Sequence, residues 1–439
     1  MHGRSQPSSD AMTAQTQNTD SSASHASAIL RSLLAEYHPR DFSIRFWDGS
    51  EWRSETSAPR FTLVLKSPRA FQRLVSGYKS DLALSEAYIY DDIDVEGDLE
   101  AAMPLGNYLM SRQWSAPALI QLGWNMLRIS ANGRTGRNER RASLSGKVHS
   151  LERDRKAVTF HYNVSNDFYA LWLDRRMVYS CAYFGTANDD LDTAQERKLD
   201  YLCRKLRLKP GERLLDIGCG WGALIIHAAQ KYGVDAVGIT LSENQADLAN
   251  ERIDKAGLKN RCRVELRDYR DETRDFDKIV SVGMFEHVGD SQLGIYFRRA
   301  WELLRPRGVF LNHGIARRTT DPEPKGPTFI SRYVFPDGEL LAINAALRYA
   351  EEIGFEVRDL ESLREHYALT LRHWARRLDL HWHEAQKLVG EPTSRVWRLF
   401  LAGSAYAFAT GALNVYQALL VKAENGVTGM PLTRGDWYR

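Results

Sequence analysis

The middle of the chain alternates short apolar runs with amphipathic stretches, which predicts β-strands alternating with α-helices. Two of the runs, Arg213–Ile217 and Asp235–Thr240, have the length and composition of buried strands. The stretches that follow them, 221–231 and 242–256, have helical periodicity. Further strands are predicted at 263–267, 278–284 and 308–313, with a helix at about 291–304. This alternation is typical of a doubly wound α/β sheet.

The first quarter of the chain has a different pattern and predicts a small α+β domain over residues 27–108. Strand-like alternation at 42–47 and 60–65 is followed by a helical stretch at 68–75. Residues 1–26 are rich in Ser, Thr, Gln and Asn and contain no apolar run. We therefore expect a disordered tail there and no export signal.

A linker over residues 109–156 is predicted between this domain and a main domain over 157–439. It begins with an apolar, helix-compatible stretch at 114–129 and continues with a cluster of Arg and Lys at 134–147. Two interpretations of the cluster stay open. It is either a solvated connector or a site for anionic lipid headgroups or another anionic surface.

The last part of the chain contains two segments of interest. Residues 400–421 carry no charge and are long enough to cross a bilayer, but six Gly, Ser, Thr, Asn and Gln residues interrupt them. This composition favours a buried helix at about 395–411 followed by a strand at 414–423. Residues 317–346 form a Pro- and Gly-bearing insertion, which we expect to form a lid over the carboxyl ends of the strands.

Composition narrows the class of partner. The 439 residues include 59 Lys and Arg against 56 Asp and Glu, a net charge of only +3 that disfavours a nucleic-acid partner. The four cysteines show no CxxC pairing, so we expect neither a zinc site nor a disulfide framework, and the chain is suited to a reducing compartment.

The string LLDIGCGWG at 214–222 joins the first predicted strand of the main domain to a glycine-rich turn. Glycines 218, 220 and 222 allow a ligand to approach the backbone closely, and Asp216 precedes them. The second strand ends in Thr240 without the carboxylate that binds a dinucleotide ribose. The string resembles motif I of class I S-adenosylmethionine-dependent methyltransferases, which implies that the turn binds a methyl donor.

Further strings resemble the cyclopropane-fatty-acyl-phospholipid synthase family, in family order. They are FHYNVSNDFY (160–169), MVYSCAYF (177–184), VGITLSENQ (237–245), GMFEHVG (283–289) and YVFPDG (333–338). The resemblance implies a Rossmann-like methyltransferase sheet with a helical or loop lid, and a lipid-engaging amino-terminal domain. It also implies transfer of a methylene from S-adenosylmethionine to the cis double bond of unsaturated phospholipid acyl chains.

The same resemblance implies the residues of the site. The proton lost from the new methyl group would pass to a bicarbonate ion, held by Cys181, Glu286, His313, Ile315 and Tyr367, of which all but Ile315 are the expected catalytic residues. The expected donor-binding residues are Tyr162, Ser180, Asp216, Gly218, Gly220, Thr240, Gln245, Asp268 and Tyr269. Aromatic rings stabilise a carbocation, and the candidates are Tyr179, Tyr183, Phe184, Phe285 and Tyr333. Taken singly, His313 and these aromatic residues also suit a buried core, and Gln245 also suits a capping box with Ser242.

The resemblance implies a cytoplasmic enzyme that docks on the inner leaflet, with a phospholipid surface as its partner. A second copy of the chain is also a candidate partner, because two docking faces bind a surface more tightly than one. Departures from the family pattern at 314–316, Leu341 and Ser404 leave the acyl-chain position and headgroup open. The alternatives are a relative that makes methyl-branched or methylene fatty acids and a methyltransferase for small molecules.

Overall fold

The computed structural model describes residues 22–77, 80–111, 165–321 and 326–438. They fall in two compact units, one spanning residues 1–140 with 327–329 and one spanning 141–326 with 330–439. The predicted helical stretch at 114–129, the basic cluster at 134–147 and Tyr162 lie outside the described residues.

The first unit contains a four-stranded sheet in the order β2-β1-β3-β4. Its elements are α1 (22–33), β1 (Phe42–Arg45), β2 (Glu51–Trp52), β3 (Phe61–Leu65), α2 (Pro68–Ser76), α3 (Asp81–Ile89), β4 (Ile93–Gly97) and α4 (Leu99–Ser111). The predicted strands and helix of this region match β1, β3 and α2. Ser67 starts α2 by accepting a hydrogen bond from Ala70 N at 3.1 Å.

The predicted disordered tail is wrong for residues 22–26, which belong to α1. Ala23 and Ala26 in this segment are buried, as are Ile29 and Leu30 further along the helix. The composition of residues 1–26, rich in Ser, Thr, Gln and Asn and without an apolar run, predicts disorder. Small alanines bury one face of a helix without forming an apolar run in the sequence.

The second unit contains a seven-stranded sheet flanked by helices. Its strands are β5 (Arg213–Ile217), β6 (Asp235–Thr240), β7 (Cys262–Leu266), β8 (Phe276–Val282), β9 (Leu304–Arg317), β10 (Glu356–Ser362) and β11 (Leu413–Val421). Its helices are α5 (Asn166–Trp172), α6 (Leu191–Leu206), α7 (Ala223–Tyr232), α8 (Glu243–Lys255), α9 (Asp290–Leu303), α10 (Ile343–Ile353), α11 (Arg364–Leu380), α12 (Trp382–Val389) and α13 (Glu391–Ala409). The insertion contains a π-helical turn at Ile330–Val334.

The strand order β10-β11-β9-β8-β5-β6-β7 confirms the predicted doubly wound sheet. The five strands from β9 to β7 pair in parallel, whereas β11 is antiparallel to both β9 and β10. The chain runs from β5 outward to β7, then crosses over to β8. The order therefore reverses between β5 and β8, and α/β folds bind ligands at the carboxyl ends of the strands beside such a reversal.

The uncharged C-terminal segment is a helix and a strand, as predicted. Helix α13 ends at Ala409, and β11 then pairs with β9 along its whole length. Among the described residues, no helix has the length and apolar character needed to cross a bilayer.

Gly238 in β6 gives a stability prediction, because a Cβ atom there would lie 2.6 Å from Cys219 Sγ and 2.7 Å from Cys219 Cβ. We expect Gly238→Ala to lower the free energy of unfolding by about 1 to 3 kcal/mol through overpacking. The urea midpoint of the purified protein measures this. Gly294→Ala is the matched control, since the nearest atom, in the Tyr349 ring, is 3.9 Å away. Equal midpoints for the two variants would contradict the prediction.

Candidate active site

The glycine-rich turn after β5 has the backbone conformation that only glycine adopts without strain. Gly218, Gly220 and Gly222 have φ angles of +80°, +54° and +78°. The N–H groups of Gly218 and Cys219 donate to Ile239 O at 2.9 and 3.1 Å, which ties the turn to β6. The turn therefore presents its backbone to the space beside the strand ends.

This space is a cleft of about 1240 Å³, including its open mouth, which we call the glycine-loop cleft. It lies at the carboxyl ends of β5, β6 and β8, where the strand order reverses. The expected donor-binding residues that line it are Ser180, Asp216, Gly218, Gly220, Thr240, Gln245, Asp268 and Tyr269. The fold thus brings eight of the nine together, and the ninth, Tyr162, lies outside the described residues.

Asp216 and Lys198 place opposite charges in the wall of this cleft. Asp216 is 3% exposed, and burial raises the pKa of its carboxyl to about 7. Its Oδ1 has no hydrogen-bond partner among the described residues. Lys198 is 2% exposed, donates to Ser180 Oγ at 2.9 Å, and has its pKa lowered by burial to about 8. The lysine was not predicted from the sequence.

Local hydrogen bonds order the polar rim of the cleft. Thr240 Oγ1 donates to Gln245 Oε1 at 2.8 Å, and Ser242 Oγ accepts from Gln245 N at 3.4 Å. The capping box is therefore half formed, because the Gln245 side chain bonds Thr240 instead of the cap residue. The carboxylate of Asp268 pairs with the Arg270 guanidinium at 2.8 Å. Gln245 Oε1 and the Asp268 carboxylate are thus each held in place by a protein donor.

A second cavity of about 960 Å³ adjoins the glycine-loop cleft, and its lining is mostly apolar and aromatic. Tyr179, Ser180, Gly283 and His287 line both spaces. The insertion contributes one wall, as expected of a lid. The residues from the insertion are Ile330, Phe335, Gly338 and Leu340, and those from α11 and α13 are Tyr367, Leu371, Trp374, Phe400, Ser404 and Phe408.

Glu286 is the acidic group of the second cavity. Its residue is 8% exposed, and burial raises the pKa of the carboxyl to about 7. Oε1 accepts a hydrogen bond from Ile315 N at 2.6 Å, whereas Oε2 is buried and has no partner among the described residues. A buried acceptor without a donor is costly, so this atom is suited to a ligand that brings a proton of its own.

His313 lines the same cavity from the end of β9. It lies opposite Gln417 of β11 in the sheet register, and its Nδ1 is 3.2 Å from Gln417 Nε2. Burial is the main reason that its pKa is lowered to about 3, with the charges of Lys198 and Lys205 adding to it. The ring is therefore neutral. With the Gln417 amide nitrogen donating to Nδ1, the ring proton would lie on Nε2, and that nitrogen would then be a donor.

Of the other expected anion ligands, two line the second cavity and one does not. Tyr367 and Ile315 line the second cavity, but the Ile315 N–H already donates to Glu286. Cys181 is fully buried and is not in the lining; its Sγ lies 3.3 Å from Ala182 O and 3.7 Å from Leu363 O. Burial raises the pKa of this thiol, so it is protonated and unreactive.

The aromatic wall of the second cavity differs from the expected set. Tyr179 lines it, but Tyr183, Phe184, Phe285 and Tyr333 do not. Further aromatic residues in its lining are Phe335 from the insertion and Trp374, Phe400 and Phe408 from α11 and α13. The three helical residues were missed because aromatic residues on a helix give no sign of facing a cavity. Ring centroids are 5.3 Å apart for Tyr179 and Trp374 and 4.6 Å apart for Tyr367 and Phe408.

The family model for mycolic acid cyclopropane synthetase matches residues 149–418. The chain belongs to this family. A separate domain family of unknown function matches residues 29–105. The chain is similar to a probable fatty acid methyltransferase of Pseudomonas putida, with 40% identity over 90% of this chain and 96% of that protein.

Two further relatives indicate the class of reaction. The cyclopropane-fatty-acyl-phospholipid synthase of Escherichia coli K12 is 34% identical over 75% of this chain and 85% of its own length. The crystal structure of the mycolic acid cyclopropane synthase CmaA1 complexed with SAH and CTAB superposes with a TM-score of 0.58. It is 36% identical and covers 61% of this chain and 97% of that chain. The family member described here is an S-adenosylmethionine-dependent methyltransferase of the cyclopropane synthase type.

Proposed function

We propose that this enzyme forms cyclopropane rings at cis double bonds in the acyl chains of phospholipids. The observation that carries the proposal is the second cavity, an apolar space that adjoins the glycine-loop cleft and holds the buried carboxylate of Glu286. An acyl chain requires an apolar channel, and ring closure requires a group that accepts a proton beside it.

The residues of the cavity suit a cationic reaction. An isolated alkene is a weak nucleophile, and the sulfonium of S-adenosylmethionine supplies a methyl group reactive enough to alkylate it, leaving a positive charge on the chain. Aromatic rings in the lining, such as those of Tyr179, Trp374 and Phe408, would stabilise such a charge by about 0.5 to 2 kcal/mol each. Their apolar surroundings also exclude water, which would otherwise trap the cation as an alcohol.

The polar residues of the cavity suit bicarbonate as the base. When bound, bicarbonate supplies an acceptor for the proton that the new methyl group loses as the ring closes. Glu286 would hold it through Oε2, which needs a donor such as the ion's own hydroxyl. Neutral His313 would donate through Nε2, and Tyr367 would complete the site. Cys181 would act as a buried wall behind it.

The names of the relatives differ, and they leave a second candidate function, the synthesis of methyl-branched or methylene fatty acids. Two similar proteins, from Pseudomonas putida and Mycobacterium tuberculosis, are named probable fatty acid methyltransferases. The protein from Escherichia coli is named a cyclopropane-fatty-acyl-phospholipid synthase. A cavity that can hold a base, as this one would hold bicarbonate at Glu286, favours proton loss and ring closure.

The proposal is tested with purified protein, S-adenosylmethionine and liposomes of cis-unsaturated phospholipid. We expect a lipid that gains one CH2 by mass, with a ring seen by NMR. Liposomes of saturated phospholipid are the control and should give no product. A methyl-branched or methylene product would instead support a fatty acid methyltransferase. Methylation of soluble acceptors at a rate that does not depend on liposomes would indicate a small-molecule methyltransferase.

Removing bicarbonate gives a separate prediction. We expect turnover to fall at least tenfold in buffer stripped of carbon dioxide and to recover when bicarbonate is added, because the base then returns. Sodium chloride at equal ionic strength is the control for salt. Unchanged turnover in the stripped buffer would contradict bicarbonate and would leave Glu286, with its pKa of about 7, as the base itself.

A phospholipid substrate requires the enzyme to reach a membrane surface. We propose that the enzyme acts on the cytoplasmic face of the inner membrane, that its domain over residues 27–108 engages lipid, and that a pair of chains shares the surface. Co-sedimentation with anionic vesicles tests whether the chain docks on a lipid surface, and analytical ultracentrifugation tests whether it forms pairs. Recovery of the full chain in the supernatant at every lipid concentration would contradict docking.

A further inference from the structure

A buried lysine that the methyl transfer does not use lies beside the glycine-loop cleft. Lys198 is on α6, and its ammonium is desolvated, with one hydrogen bond, to Ser180 Oγ at 2.9 Å. An ammonium has three donors, so two remain for other acceptors. Burial of a charged group costs free energy unless a charged or hydrogen-bonding partner offsets the loss of hydration.

Two buried carboxylates, Asp174 and Asp216, interact with the Lys198 charge at a distance, and of the two only Asp216 lines the cleft. The lysine charge lowers the Asp216 pKa at a distance, yet Asp216 Oδ1 is buried without a partner among the described residues. Lys198 and Asp216 both line the cleft. The wall therefore offers an ammonium and a carboxylate that each keep unused hydrogen-bonding capacity.

A ligand with its own opposite charges would satisfy both groups. The amino-acid tail of S-adenosylmethionine is such a ligand, because it carries an ammonium and a carboxylate on one carbon. We propose that Lys198 is a positioning residue that, through Ser180, receives the carboxylate of this tail, while Asp216 receives its ammonium.

Ser180 transmits the effect of the lysine. Ser180 Oγ accepts a hydrogen bond from Lys198, so its own hydroxyl hydrogen remains available to donate to another acceptor. Gln195, one turn earlier on α6, donates to Ser180 O at 2.8 Å and to Val178 O at 3.3 Å. The helix thus fixes the backbone of this loop with Gln195 and orients the Ser180 hydroxyl with Lys198.

The test compares two ligands by calorimetry, S-adenosylhomocysteine and its decarboxylated analogue, which lacks only the carboxylate. We expect Lys198→Met to weaken binding of S-adenosylhomocysteine about ten- to hundredfold, since the Ser180 hydroxyl loses the charged donor that orients it toward the carboxylate. Binding of the decarboxylated analogue should stay unchanged. Equal weakening of both ligands, or of neither, would overturn the proposal.

Lys205→Met is the matched control, because Lys205 is on the same helix and equally buried. It pairs with Asp359 at 3.4 Å and with Glu361, away from the cleft. We expect it to lower stability and to leave the affinity ratio of the two ligands unchanged. Should Lys198→Met fail to fold, Ser180→Ala serves in its place and should weaken S-adenosylhomocysteine alone.

The pH dependence of the ratio gives a second readout. The titratable groups that interact with Lys198 are Cys181, Asp174, Asp216 and His313. Burial lowers the Lys198 pKa to about 8, so the ammonium is lost above that pH. The wild-type preference for S-adenosylhomocysteine over its analogue should decline above pH 8, and this decline should be missing in Lys198→Met. A decline of equal slope in both proteins would contradict the assignment.

Discussion

Glu286→Gln is expected to lower turnover by about a hundredfold to ten-thousandfold, the range for loss of a positioned acid or base. Glutamine retains an oxygen for the bond from Ile315 N but places an NH2 group where Oε2 lies. An acceptor thereby becomes a donor, and the ion can no longer be held through its own proton. Binding of S-adenosylhomocysteine should stay unchanged, because Glu286 does not line the glycine-loop cleft.

Glu339→Gln is the matched control for this substitution. The Glu339 N–H donates to the carbonyl of Glu286 at 3.1 Å, but its side chain accepts from Asp290 N and does not line the second cavity. We expect near-normal turnover. Near-normal turnover of Glu286→Gln as well would contradict the role of the carboxylate.

The ionisation of Glu286 sets a pH dependence. Burial raises its pKa to about 7, so the carboxyl is protonated below that pH and cannot hold the ion by accepting a hydrogen bond from its hydroxyl. Wild-type turnover at saturating donor and bicarbonate should therefore rise with pH through about 7. The residual turnover of Glu286→Gln should lack this rise.

His313→Phe is expected to raise the bicarbonate concentration needed for half-maximal turnover about ten- to hundredfold. The ring keeps its shape but loses the Nε2 donor, and a hydrogen bond to a charged group contributes about 1.5 to 3 kcal/mol. Bicarbonate titrations at saturating S-adenosylmethionine measure the effect. Unlike Glu286→Gln, this variant should approach normal turnover at high bicarbonate.

A second variant separates this effect from loss of stability. His313→Phe leaves Gln417 Nε2 without an acceptor, which costs about 1 to 3 kcal/mol of stability. The double variant with Gln417→Leu removes both polar partners and should recover much of that loss. It should keep the same bicarbonate defect. Recovery of normal half-saturation in the double variant would show that His313 acts on stability alone.

The strands that position the site were predictable from the sequence, and β10 was not. Strands β5 and β6 are short apolar runs with polar ends, because a parallel strand is buried on both faces. Strand β10 lies at the edge of the sheet and is largely exposed, so charged residues occupy most of it. Its sequence therefore lacks the apolar alternation that predicts a strand.

Some polar residues of the site were predictable from the sequence and others were not. Glu286 follows β8, and the end of a strand is where the fold places chemistry, so its position was predictable. Lys198 and Gln417 were missed, because a Lys on an amphipathic helix and a Gln in a strand suit solvent equally well. Their burial depends on neighbours distant in sequence. The direction of the Cys181 thiol, toward Leu363 O, depends on such a neighbour too.

The central claim is that a methyl group from the donor alkylates an acyl double bond and then loses a proton to form a ring. The most direct measurement supplies S-adenosylmethionine with a trideuterated methyl group, together with liposomes of cis-unsaturated phospholipid, and analyses the lipid by mass spectrometry and NMR. We predict a cyclopropane carbon that retains two of the three deuterium atoms. A lipid that retains all three, or no labelled lipid at all, would contradict the account.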